Sequence, residues 1–171
     1  MLSRLSYWMS FPFRWFHRRG FGVQSSWAFE FVTQVLYKDS QYYIFRELNG
    51  NKQDEQLFRI CNWLKAGNIG IHCENTITKA YLLAPISKDK SKHSDYSVNY
   101  YDSSHTNDLE SDINENTFNE NTCVIVDSIH NQNSSTWKRL LSLPSVTTVF
   151  DMGKRGIAFF DHKRQKQTYL T

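Results

Sequence analysis

His72, Cys73 and Glu74 stand side by side in the stretch NIGIHCENTITKAYLLAP (68–85), three side chains of kinds that bind metals or move protons. Adjacent residues on an extended chain point to opposite faces, whereas a zinc site needs ligands that converge on one point, so structural roles are expected and no metal is assigned. Cys123 and His130 would supply a nucleophile and a base. Cys123 opens a β-branched run and His130 lies beyond its far end, about 20 Å away at strand rise, too far for activation. Asp127 and His130 close the run CVIVDSIH together, and the carboxyl end of a parallel strand is where ligands bind. The pair could act as general base and orienter; the alternative is an aspartate capping a turn beside a surface histidine. Ser128 follows Asp127, and a single carboxylate is a poor magnesium site.

Elements able to carry these residues can be read from periodicity. Asn68 to His72 fits a strand, Glu74, Asn75 and Thr76 offer turn and N-cap chemistry, and Ile77, Ala80, Tyr81 and Ala84 repeat at helical spacing. A strand, loop and helix of this kind grips nucleotide-like cofactors when the loop is rich in glycine, because a bare backbone lets phosphate or sugar approach the helix N-terminus. No glycine lies between His72 and Thr78. Upstream, Ser25 or Ser26 caps a helix through Trp27, Phe31, Val32, Val35 and Leu36, and YYIFRELNG forms a short helix or turn broken at Asn49-Gly50. A further helix from Asp54 to Ala66 ends at a C-cap glycine, Gly67. Downstream of the strand beginning at Thr122, Asn133 to Ser135 can start a helix over Thr136 to Leu143, stopped by Pro144. Val146 to Asp151 and Gly156 to Phe160 then read as an antiparallel hairpin.

Composition narrows the functional classes. With 171 residues and a net charge of +3, the chain is one domain by size. Its basic residues gather only at Arg14, His17, Arg18 and Arg19 and at Lys163, Arg164 and Lys166. Solvated termini explain them, so nucleic acid is not expected as a partner. Three cysteines without a CxxC pair favour a reducing, cytoplasmic compartment, and no run is long and apolar enough to cross a membrane. The sequon Asn133-Ser134-Ser135 then serves as a helix start rather than a glycan site.

Two segments depart from this pattern. Residues 1–20 mix aromatics with arginines around Pro12 and form an N-terminal arm, either packed on its own domain or lying on a membrane surface. Residues 87–121 are dominated by Ser, Asp, Asn, Lys and Glu. So few apolar residues cannot offset the ordering of such a stretch, and a disordered insertion is expected, with one short strand near Tyr96 to Tyr101.

Several blocks resemble a known family. VIVDSIH, VTTVFDMGKRGIAFF and KQTYL are similar to the end of a class I S-adenosylmethionine-dependent methyltransferase family of Bacteroidetes type, and FGVQSSWAFEFVTQVLY (21–37) is similar to its opening helix. ICNWLKAGNIGIHCENTITKAYLLAP then falls on the cofactor-binding strand, loop and helix. The resemblance implies a reduced Rossmann-like α/β sheet over 21–171, with N-terminal helices and a C-terminal antiparallel hairpin. It sets Gly70 where the family has a strand-end acid and His72 to Thr76 in the place of its glycine loop. Residues 87–121 stand in the place of two or three strands with their helices.

These departures imply a methyltransferase-like protein that is degenerate and non-catalytic, with a binding or regulatory role and no cofactor. The alternatives are an active methyltransferase using S-adenosylmethionine on an unknown acceptor, and a peripheral membrane or assembly protein. In the active case Gly70, His72, Glu74, Asn75 and Thr76 would line the cofactor, with Asp127 and His130 at the ligand edge. The edges left by lost strands must be covered, either by a protein partner or homo-oligomer or by the chain's own insertion.

Overall fold

The computed structural model describes residues 15, 18–86, 96–164 and 166–171. Most of the N-terminal arm, residues 1–14, 16 and 17, lies outside the described residues, as does 87–95 of the polar stretch. The chain runs through α1 (Ser26–Glu30), which continues as a π-helical segment (Phe31–Leu36), then α2 (Tyr43–Leu48), α3 (Lys52–Leu64), β1 (Asn68–His72) and α4 (Thr76–Leu83). It continues through β2 (Ser97–Tyr101), α5 (Thr106–Glu115), β3 (Thr122–Asp127), α6 (Ser134–Ser142), β4 (Thr148–Asp151), β5 (Arg155–Phe159) and β6 (Gln167–Leu170).

Local chemistry sets the helix ends. Ser25 caps α1 by accepting from the Ala28 amide, and Asn75 caps α4 by accepting from the Ile77 and Thr78 amides. Asn51 and Asp54 form a capping box at the start of α3, and the Asp54 carboxylate also accepts the Thr78 hydroxyl at 2.8 Å, tying α3 to α4. At the other end of α3 the left-handed position falls on Lys65, φ 50°, so the expected role of Gly67 passes to Lys65. Asn49 closes α2 in the same conformation, φ 48°. The π-helical segment keeps Phe31, Val32, Val35 and Leu36 all buried.

The six strands form one sheet in the order β1-β2-β3-β5-β4-β6. β1, β2 and β3 are mutually parallel, β5 is antiparallel to both β3 and β4, and β6 runs parallel to β4. Five strands therefore share one direction. This is a mixed α/β sheet compatible with a Rossmann-like fold, and the expected C-terminal hairpin is β4–β5.

The inner strands β2, β3, β5 and β4 divide their side chains between two helical layers. On β3, Cys123 and Ile125 join Phe31, Leu57, Ile60 and Phe150, whereas Val124 and Val126 join Leu109, Trp137, Leu140 and Phe160. The first layer centres on a dense aromatic group. Phe31 lies 4.9 Å from Phe150 and 5.2 Å from Trp63, and Trp27 meets Phe159 edge-on at 5.1 Å. Such pairs add about 0.5–1.5 kcal/mol each beyond their burial.

The polar stretch is the main correction. Residues 96–121 are not a disordered insertion but carry β2 and α5, and β2 is an interior strand between β1 and β3. The few apolar residues suffice because of where they fall. Val98, Tyr100 and Tyr101 are buried on β2, and Leu109, Ile113 and Phe118 close over the second layer. β6 is a strand that periodicity did not reveal, since only Tyr169 of its four residues is buried.

Gly156 shows how tightly the second layer is packed. A β-carbon there would meet Cζ2 of Trp137 at 2.4 Å, and that ring is itself buried. Gly156→Ala is therefore expected to destabilise the fold by about 1–3 kcal/mol through overpacking, read as a lower urea midpoint. An unchanged midpoint would mean the ring has room to move.

Candidate functional site

The carboxyl ends of the parallel strands bring His72, Asp102, Asp127 and Asp151 to one edge of the sheet. In a parallel sheet this edge is the expected ligand site. Here the side chains along it bind one another.

Asp127 ends β3 opposite Arg155, the first residue of β5. The guanidinium grips the carboxylate with Nε at 2.6 Å from Oδ1 and a terminal nitrogen at 3.0 Å from Oδ2. Tyr100 donates its hydroxyl to the same Oδ2 at 2.7 Å. The other terminal nitrogen of Arg155 donates to the Gln53 carbonyl at 2.8 Å and to Gln56 Oε1 at 3.2 Å. Burial is the largest influence on Arg155 and opposes its charge, but the charge and hydrogen bond of Asp127 together with Tyr100 and Asp54 raise the pKa above the ordinary arginine value. Burial, followed by the Asp127 charge, also pushes the Tyr100 phenol well up.

Of the two readings of Asp127 and His130, the structure shows no direct pairing between them. His130 turns to Asp151, with Nε2 at 3.0 Å from the carboxylate, while Asp127 is held by Arg155. Ser128 between them takes a left-handed backbone, φ 59°, which redirects the chain after β3.

At the end of β1, the His72 ring lies nearly flat on Tyr101, 4.4 Å between centroids at 11°. Its Nδ1 sits 3.1 Å from Asp108 on α5. Tyr101 donates its hydroxyl to Asp112, one turn further along α5, and burial followed by that bond raises the phenol pKa. On the same face, Gly70 pairs with Asn99 across β1 and β2, and the tip of the Asn99 side chain comes within 2.2 Å of where a β-carbon would stand. Glu74 is exposed, Cys73 is buried, and Thr76 opens α4 behind the Asn75 cap. Of the residues proposed for a cofactor cradle, Gly70 and His72 thus belong to sheet packing, Asn75 and Thr76 to the start of α4, and Glu74 is exposed.

Sequence reasoning missed two residues at this edge. Asn133, fully buried, donates its side-chain amide to the carbonyls of Asp102 at 3.1 Å and Asp127 at 2.8 Å, clipping the ends of β2 and β3 together. Asp102 accepts from the Ser104 amide at 2.7 Å and lies 2.8 Å from His105 Nδ1. The cue for the second was the spacing Asp102-Ser-Ser-His105 after an alternating Tyr-rich run; Asn133 left no cue beyond its place before a helix.

Chemically, the edge is rich in carboxylates but poor in reactive groups. Among the described residues no three His, Cys, Asp or Glu side chains converge as metal ligands. The thiols are inert by burial: Cys61 is pushed up to about 12, Cys73 is raised, and Cys123 is raised well above the ordinary range. No helix among the described residues is long and apolar enough to cross a membrane.

The Asp102 hydrogen bond raises the pKa of His105 above the ordinary histidine value. A raised folded-state pKa adds stability that is complete below the unfolded value and is lost as pH rises through the folded one. An NMR titration is expected to show His105 titrating above the usual histidine range in the native protein and back within it in Asp102→Asn. Identical curves would separate the two side chains in solution.

Compared with family models, curated proteins and solved structures, the chain matches none of them.

Proposed function

We propose that this chain is a methyltransferase-like domain that no longer holds S-adenosylmethionine and works as a non-catalytic binding module. One observation carries the reading. His72 falls where the resembled family has a loop glycine, and its imidazole lies on Tyr101 and is held by Asp108. In a working cofactor site the methionine and ribose groups would need that space.

Neighbouring features agree. The amides of Ile77 and Thr78, which face out from the start of α4, are already satisfied by Asn75. Gly70 offers no carboxylate to a ribose, and Asn99 crowds its face. Asp127, the acid nearest a catalytic role, is neutralised by Arg155 and bonded by Tyr100. These residues do not fit the cofactor, so no methyl-transfer step is assigned. The reversed β5, paired with β4 as an antiparallel hairpin near the C-terminus, is in keeping with the hairpin that the resemblance implies, although it lies inside the β1-β2-β3-β5-β4-β6 order rather than at its end.

Isothermal titration of the full chain with S-adenosylmethionine and with S-adenosylhomocysteine is expected to give no saturable heat. Micromolar binding of either compound would overturn the proposal and favour an active enzyme.

A further inference from the structure

A cavity of about 570 Å³ opens at the β4–β5 end of the same edge, between the end of the π-helical segment, the first turns of α3 and the β4–β5 turn. Its size suits a small organic ligand. Two of its lining cations are already matched, Arg155 by Asp127 and Arg59 by Glu55 at 3.7 Å. Among the described residues Arg18, Lys38, Lys52 and Lys154 remain, and Asp39 is the one lining carboxylate left to oppose them.

These four cations come from distant parts of the chain, so the fold gathers them. Arg18 lies over the Tyr37 ring, 5.2 Å from its centroid, and Lys38 donates to Gln34 at 3.1 Å. Neither Lys52 nor Lys154 has an ion-pair partner among the described residues. A concave surface lined by one sign of charge focuses its potential and concentrates ions of the opposite sign. Leu36, Tyr37 and Met152 add apolar wall to the same space.

We infer that this cavity binds a small organic phosphate. Lys38, Lys52 and Lys154 hold the phosphate, and the organic body lies against Leu36, Tyr37 and Met152. Ammonium groups act as point charges toward phosphate, and a dianion answers the net excess of three cations better than a monocarboxylate does. The inference gives the binding module a ligand class and in that sense rests on the non-catalytic reading. The two fail separately, since S-adenosylmethionine binding overturns one and absence of phosphate binding overturns the other.

Isothermal titration of the full chain with phenyl phosphate tests the site, with benzoate as the monoanionic comparison. Lys52 and Lys154 are exposed, so the double variant K52A/K154A keeps the fold. Lys163→Ala, at a lysine that lines a different cavity, shows what the loss of a positive charge elsewhere on the surface does. Expected are saturable binding of phenyl phosphate, weaker binding of benzoate, a loss of about tenfold or more in the double variant, and no change in Lys163→Ala. The inference is overturned if phenyl phosphate does not saturate, if benzoate binds as tightly, or if both variants lose affinity equally.

Discussion

The Asp127–Arg155 pair is the interaction on which the carboxyl edge depends. It joins the end of β3 to the start of β5, and through Gln53 and Gln56 it reaches the first turns of α3. The Arg155 charge is buried and needs a close counter-charge, which the part-buried Asp127 carboxylate supplies; without it the guanidinium would stand uncompensated in a medium of low dielectric. Tyr100 brings β2 into the same group. Three strands and a helix are thus held in one relative position by a single cross-strand contact and its hydrogen bonds.

The same logic extends along the edge. His72 is received by α5, Asp102 by the loop that follows it, and Asp151 by His130 beyond β3. Asn133 closes the ends of β2 and β3 from within. Polar groups that could perform proton transfer in an open cleft here satisfy one another and fix the elements that bear them. Where this chain of contacts stops, at the β4–β5 turn, lysines face a cavity with little opposing charge.

Much of this was legible in the sequence. β3 was a β-branched run, the β4–β5 hairpin had its Gly-containing connection, and Asn75 stood where α4 needed a cap. The short strand expected near Tyr96 to Tyr101 is β2, but α5 and the order of the stretch around it were misjudged because apolar content was averaged over a polar background. Val98, Tyr100, Leu109 and Ile113 are few, but their spacing places each on a buried face. The partner of Asp127 was beyond local reading. His130 is three residues away, yet the cross-strand register set by the hairpin supplies Arg155 instead. Local pattern identifies elements; long-range register decides which charges meet.

A double-mutant cycle on Asp127→Asn and Arg155→Met, followed by urea unfolding, tests most directly whether the edge is built for structure. Asp127→Asn is expected to cost about 3–5 kcal/mol, because it strands the buried Arg155 guanidinium, and Arg155→Met less, because the part-exposed Asp127 carboxylate keeps some contact with water. The double variant is expected to cost less than the sum, with a coupling of about 1–3 kcal/mol. Additive losses, or an Asp127→Asn variant as stable as the parent, would contradict the account and return Asp127 to the set of groups free to do chemistry.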